Sequence, residues 1–367
     1  MNPINPGRLL ISTVIGACAV FATAEGSAAP AMPRYTHIFV IIEENHTTNE
    51  IIGSPAAPFI TRLSKEYGFA SNYYGIRHPS EPNYVALVGG DTFGIADDDA
   101  FYCKPGSREV GCERAAKPGY VDHTVRGPDL TQQLAEQRLT WKGYFEDLPE
   151  PGSLAWRWPP PAHPIAGKPD ALYAVKHNGF LTFASVQNAP DRKERIVGFD
   201  ALERDLAAGS LPSFAHIVPN QCNDMHGLKG HDVPSDCTGK QSAGLIARAD
   251  RSLAHIVNEI MNTASWKGAD NDAIVVTFDE NDDETASPRP NGCCGFTPGN
   301  PSNPGGGWIP TIVATNHGPR GLVDPTPYNH YSLLRTIEDA LGLSGHLRNA
   351  GDDKDGVRSM SPLFAVR

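Results

Sequence analysis

Five short clusters of polar side chains could do chemistry together, and each is set beside an apolar run or a helix start. Glu43-Glu44-Asn45-His46 comes directly after the apolar run 37–42. A carboxylate and an amide oxygen leaving a buried strand suit a hard divalent cation, although a polar strand end entering a loop needs no such partner. In His78-Pro79-Ser80-Glu81-Pro82-Asn83-Tyr84, Ser80 precedes a helical stretch with proline in its first turn, which makes it a natural N-cap. Free N–H groups and the dipole at such an end favour an anion. A serine there can attack a phosphoryl group that the same N–H groups hold; simple capping is the commoner reason for a serine at this position.

Asp224 and His226 follow the run 213–218. Their Asp-x-His spacing offers an oxygen and a nitrogen ligand on one turn, as zinc and iron sites prefer, and it also occurs in ordinary polar loops. Asp279 and Glu280 end the run 273–278. Two adjacent acids at the end of a buried strand are costly without a cation or partner, which favours a functional reading. His330 opens the last expected helix. A lone histidine there is usually structural, and its weight comes from the other four clusters.

The elements that must position these groups read as an α/β chain. Continuous β-rich runs at 37–42, 213–218 and 273–278 look like buried strands, and 310–315 reads as a further strand. Weaker strand candidates are 68–74, 139–146 and 180–185. Helical patterns occupy 57–67, 80–88, 128–138, 199–207, 242–264 and 329–341, the last stopped by Gly342. Strands alternating with helices predict a largely parallel sheet covered by helices on both faces, with ligands beyond the carboxyl ends of the strands. The stretch 91–127 reads as an irregular excursion, 149–169 as an ordered surface loop and 281–308 as a Gly/Pro/Asn-rich loop, and no repeat or interdomain linker is visible.

The 367 residues carry a net charge of −11, which argues against sequence-independent nucleic-acid binding. Arg8, an apolar run over 9–24 and the small residues 26–29 form the pattern of an export signal, so residues 1–30 are expected to be a signal peptide and 31–367 one domain. Cys18 is a less favoured lipoprotein processing site, since the residues after it stay apolar. No other segment is long and apolar enough to span a membrane. The expected location is therefore secreted or periplasmic. Six further cysteines allow fifteen pairings. Cys103–Cys112 and Cys222–Cys237 would each close a short polar loop, and the adjacent Cys293 and Cys294 could bridge. A zinc cluster is the rival reading, with no Cys-x-x-Cys or histidine spacing behind it.

Taken in chain order, the five clusters match the alkaline phosphatase superfamily. Val40-Ile-Ile-Glu-Glu-Asn45, His78 to Tyr84, Val218 to His226, Thr277-Phe-Asp-Glu280 and His330-Tyr331 resemble the bacterial phosphoesterase family. So do Gly143-Tyr-Phe-Glu-Asp-Leu-Pro149 and Tyr173-Ala-Val-Lys-His177. That family contains secreted acid phosphatases and non-specific phospholipases C. The nearest likeness is to small secreted acid phosphatases, including phosphoinositide phosphatases, and it runs over 36–343.

The resemblance implies an alkaline-phosphatase-like three-layer α/β sandwich and an acid phosphatase acting on phosphate monoesters. The substrate would be a small phosphate ester or a phospholipid or phosphoinositide headgroup. Ser80 would be the nucleophile and His78 its support. Glu44, Asn45, Asp279 and Glu280 would hold a divalent metal (calcium, magnesium, zinc or iron). Asp224, His226 and His330 would complete a second metal site or bind phosphate. His177, with Lys176, would meet the phosphate or protonate the leaving group. A phospholipase C-type phosphodiesterase shares this core, and an exported metal-binding protein without catalysis is the rival of another class. A sulfatase fits less well, because Ser80 lacks the Cys/Ser-x-Pro-x-Arg context.

Overall fold

Why the chain folds as it does begins with its β-branched runs. In the computed structural model, which describes residues 1, 32–98, 121–159, 171–229, 233–239, 242–282, 289–301 and 303–366, these runs become adjacent strands. The strands are β1 (His37–Glu43), β2 (Gly68–Tyr74), β3 (Trp141–Phe145), β4 (Arg157–Trp158), β5 (Tyr173–Ala174) and β6 (Ile196–Val197). They continue with β7 (Phe214–Val218), β8 (Asp272–Phe278), β9 (Trp308–Thr315), β10 (Leu322–Asp324) and β11 (Tyr328–Asn329). Nine of them form one sheet in the order β10-β2-β9-β8-β1-β7-β3-β6, with β11 also paired to β2. The pairings of β1 with β7 and β8, of β3 with β6 and β7, and of β2 with β10 and β11 are parallel. Only β9 runs against its neighbours β2 and β8. β4 and β5 form a separate two-stranded ribbon.

Every residue of β7 and β8, and all of β1 after His37, is buried. Burial on both faces explains why these runs are apolar without alternation. The helices that cover the sheet fall into two groups. One joins Pro58–Glu66 to Ala243–Asn262, where Asp250 accepts the N–H groups of Phe59 and Ile60 at 3.0 and 2.9 Å. The other joins Glu81–Gly89 to Leu130–Glu136 and His330–Leu341. Helix ends follow local chemistry: Asp129, Ser242 and Asn329 cap with their side chains, and Gly342 closes its helix in the left-handed region at φ 61°.

One expected strand is a correction. Residues 180–185 form a 3-10 turn, Gly179–Thr182, followed by the short helix Ala184–Gln187. Phe180, Leu181 and Phe183 are fully buried, as a strand would require, but they pack against the Glu81–Gly89 helix. An apolar run of this length does not distinguish a strand from a buried turn. Apart from Met1, the signal segment 1–30, with Cys18, lies outside the described residues, as does the Cys103–Cys112 pair. Cys222–Cys237 and Cys293–Cys294 are both bridged. Among the described residues, no helix is long and apolar enough to cross a membrane.

Candidate active site

Strand order brings the distant clusters together. β1 lies between β8 and β7, so the residues after these three strands meet at one sheet edge. Asp279 N–H donates to Glu43 O at 3.0 Å, and Glu44 N–H donates to Asp224 O at 2.7 Å. Asn45 turns the chain at φ 58°, a left-handed position that asparagine tolerates, and its N–H reaches Asp279 Oδ1 at 3.1 Å. The serine arrives from β2, two strands from β8. Gly75 makes that approach possible: a Cβ there would sit 2.8 Å from the carbonyl oxygens of both Asp279 and Gly306.

Ser80 occupies the N-cap position of Glu81–Gly89 but does not cap with its side chain. Its own backbone is already helical, at φ −56° and ψ −51°. The hydroxyl instead donates to Glu44 Oε2 at 3.0 Å, with Glu280 Oε1 at 3.5 Å. Glu44, fully buried, also accepts Asn45 Nδ2 at 2.7 Å and the Tyr84 hydroxyl at 2.6 Å. His177 Nε2 lies 3.1 Å from Glu44 Oε1, and its ring stacks on Tyr84 at 5.2 Å between centroids.

The charge balance is the dominant physical feature. Glu44, Asp224, Asp279 and Glu280 are four buried acids at one point. Burial, then the neighbouring Asp279, pushes Glu44 well above the usual carboxylate range. Burial, then Glu44, does the same for Asp224. Burial and Glu280 push Asp279 up to about 8. One oxygen each of Asp224 and Asp279 has no hydrogen-bond partner among the described residues. Buried carboxylates in this state are satisfied by protons or by cations, and oxygen-rich sites of this kind take divalent cations. His177 is held neutral, well below its ordinary value, by burial and by Lys176 and His226. A neutral imidazole is the ligand form. Glu44, His177 and His226 present ligand atoms within 4.8 Å of one another. The donor set therefore fits a metal ion.

An open cavity reaches this cluster and is lined by Asn45, His78, Ser80, Lys176, His226 and Glu280, among others. Lys176 Nζ donates to Asp98 Oδ2 at 2.9 Å and lies 3.4 Å from His226 Nε2. Burial lowers Lys176, but Asp98 and Glu44 outweigh it and keep the ammonium charged. His226 Nδ1 lies 2.7 Å from Gly227 O, which turns Nε2 toward the cavity side. His78 Nδ1 stands 2.5 Å from Glu280 Oε2.

The fold thus assembles Glu44, Asn45, His78, Ser80, His177, Asp224, His226, Asp279 and Glu280. His330 joins them differently. Its Nε2 lies 2.6 Å from Asp279 O and its Nδ1 lies 3.1 Å from the Tyr73 hydroxyl. Donation to the carbonyl leaves Nδ1 to accept from the tyrosine, so the ring bears on the cluster through the Asp279 backbone. His177, expected to meet phosphate, sits behind Glu44 with Nδ1 3.5 Å from Asp224 Oδ2. Sequence reasoning missed Tyr84 and Asp98 as partners of Glu44 and Lys176. Tyr84 stood inside a motif already singled out; Asp98 had no signal beyond a polar run. It also missed Glu81 and His123, paired at 2.9 Å directly beside Ser80.

Residues 54–344 match the phosphoesterase family. The chain belongs to that family and is a phosphoric ester hydrolase. Phosphatidylinositol-3-phosphatase of Mycobacterium tuberculosis is 29% identical over 327 residues, covering 89% of this chain and 84% of that protein. Phosphate-repressible acid phosphatase of Penicillium chrysogenum is 29% identical over 285 residues, 77% of this chain and 54% of the fungal protein, so the chain spans about half of that relative. The fold resembles a Vibrio parahaemolyticus protein of the alkaline phosphatase superfamily (TM-score 0.52, 11% identity, 88% of this chain and 71% of that one). It also resembles a lipoteichoic acid synthase of Listeria monocytogenes (TM-score 0.53, 11% identity, 87% and 75%).

Proposed function

We propose that this chain is an exported, metal-dependent phosphatase that hydrolyses phosphate monoesters through a phosphoserine at Ser80. One observation carries the reading. Ser80 sits at a helix N-terminus, leaves the cap bonds unmade, and turns its hydroxyl onto Glu44 amid four buried acids. Names of relatives support the substrate class: a phosphatidylinositol-3-phosphatase and acid phosphatases. The signal-like residues 1–30 and the Cys222–Cys237 bridge support export of a single domain, 31–367.

Glu44, Asn45, Asp279 and Glu280 would hold one divalent cation, and Asp224, His226 and His177 a second. When bound, the metal lowers the pKa of the serine hydroxyl and neutralises the phosphoryl oxygens. Ser80 Oγ gives up its proton to solvent through the open cavity and attacks phosphorus in line; a bond from Oγ to phosphorus forms, and the bond to the alcohol oxygen breaks. His78, on the cavity wall beside Glu280, supplies the proton that the departing alcohol needs. Lys176, charged and facing the cavity, holds a phosphate oxygen through this step. Water then hydrolyses the phosphoserine. His330 is a positioning residue that fixes the Asp279 backbone.

The test is hydrolysis of a chromogenic monoester and of a choline phospholipid, with and without chelator. Turnover of the monoester that chelation abolishes is expected. Turnover of the phospholipid alone would replace the monoesterase by a phospholipase C-type diesterase, and metal binding without turnover of either would leave a binding protein.

A further inference from the structure

Outside the active site, one small cavity combines carboxylates with a buried acceptor that no described residue uses. Its volume is about 30 Å³, room for a single ion or water. Asp352, Asp355 and Asn303 line it, together with Asn349, Gly295 and the ring of Tyr331. Asn303 is 2% exposed. Its amide nitrogen donates to Cys293 O at 2.8 Å and Cys294 O at 3.1 Å, which fixes which end of the amide is which. The remaining atom, Oδ1, is buried without a hydrogen-bond partner among the described residues. A buried amide oxygen left in this state is costly. Asp352 uses Oδ1 for the N–H groups of Lys354 and Asp355, at 3.0 and 3.3 Å, and keeps its other oxygen for a further partner. Asp355 packs so closely on Gly295 (φ 86°) that a Cβ there would lie 2.8 Å from Asp355 Oδ2. Asn349 can present either end of its amide.

We propose that this cavity is a second, structural cation site for a hard divalent ion of the calcium class, held by Asp352, Asp355 and Asn303 Oδ1. The donors are oxygens, and the nearest sulfur belongs to the Cys293–Cys294 bridge and is no thiolate, which excludes a preference for soft metals. The ion would tie the turn at 352–355 to the loop that carries the bridged cysteines. That loop continues into Gly305 and Gly306, whose N–H groups donate to Ile76 O and Gly75 O at 2.9 and 3.1 Å, just before His78 and Ser80. Calcium binding would thus brace the segment that delivers the serine.

The experiment uses the full chain, stripped with chelator and titrated with calcium, followed by calorimetry, thermal melting and tyrosine-sensitised terbium emission. Wild type, the variant Asp279→Asn and the triple variant Asp279→Asn/Asp352→Asn/Asp355→Asn are compared. Asp279→Asn, which disables the catalytic cluster, should keep a saturable calcium-dependent rise in Tm, and adding Asp352→Asn/Asp355→Asn to it should weaken that calcium binding at least tenfold. Circular dichroism of the triple variant separates loss of a site from loss of fold. The proposal is overturned if the folded triple variant keeps the calcium affinity of Asp279→Asn, or if Asp279→Asn shows no saturable calcium response, in which case the cavity holds only water. Failure of the phosphoserine reading would show instead in turnover of Ser80→Ala and would leave these binding curves unchanged.

Discussion

Replacing Tyr84 with phenylalanine isolates one contact on Glu44. The ring stays, and with it the stack on His177, tilted by only 16°. The hydroxyl goes, and with it the 2.6 Å hydrogen bond to Glu44 Oε1. Both residues are fully buried, so water does not replace the lost donor. A hydrogen bond to a charged group contributes about 1.5–3 kcal/mol, which is roughly a tenfold to hundredfold change in a binding or rate constant. That bond also lowers the Glu44 pKa against the rise that burial causes. Without it Glu44 ionises less readily, and metal binding requires the ionised form. Tyr84→Phe should therefore lose about one to two orders of magnitude in kcat/KM or metal affinity, more at acid pH than at neutral pH. Steady-state kinetics across pH and chelator competition measure both. Values within twofold of wild type at every pH would refute the argument that Tyr84 maintains the charge on Glu44.

Three further outcomes follow from the same geometry. His330→Gln removes the ring that holds Asp279 O and should weaken metal affinity by about tenfold, measured by chelator competition, with little change in Tm. The chelated protein should be more stable at pH 5.5 than at pH 8.5 in urea unfolding. Asp279 holds its proton up to about 8 in the folded chain but releases it near 4 when unfolded, so between those values the folded state binds more protons and stability falls as pH rises; saturating metal should flatten the difference, and higher stability at pH 8.5 without metal would contradict it. Removing the Cys222–Cys237 bridge, which joins residues 15 apart, should cost about 3 kcal/mol and lower Tm by several degrees, since the closed loop carries Asp224 and His226.

The sheet was legible because its central strands are buried on both faces and so read as unbroken β-rich runs. β1, β7 and β8 start within a residue of expectation for that reason. The turn at Gly179–Thr182 was not, because its buried Phe180 and Leu181, like Phe183 just after it, look the same whether they face a sheet or a helix. In the site, acids that end strands announced themselves, since a carboxylate at the end of an apolar run needs a partner. Partners that act at a distance did not. Tyr84 reaches back 40 positions to Glu44, and Asp98 meets Lys176 across 78, and neither separation leaves a local pattern. His330 stood out in sequence, but only the fold reveals that its nitrogens meet Tyr73 and the Asp279 backbone.

The central claim is that Ser80 carries the phosphoryl group. Rapid quenching of wild type with a chromogenic monoester, followed by peptide mass spectrometry, tests it most directly. The account predicts a burst of released alcohol, a phosphorylated peptide containing Ser80, and loss of turnover by several orders of magnitude in folded Ser80→Ala. A Ser80→Ala protein that turns over within tenfold of wild type, with no phosphopeptide from the wild type, would contradict it.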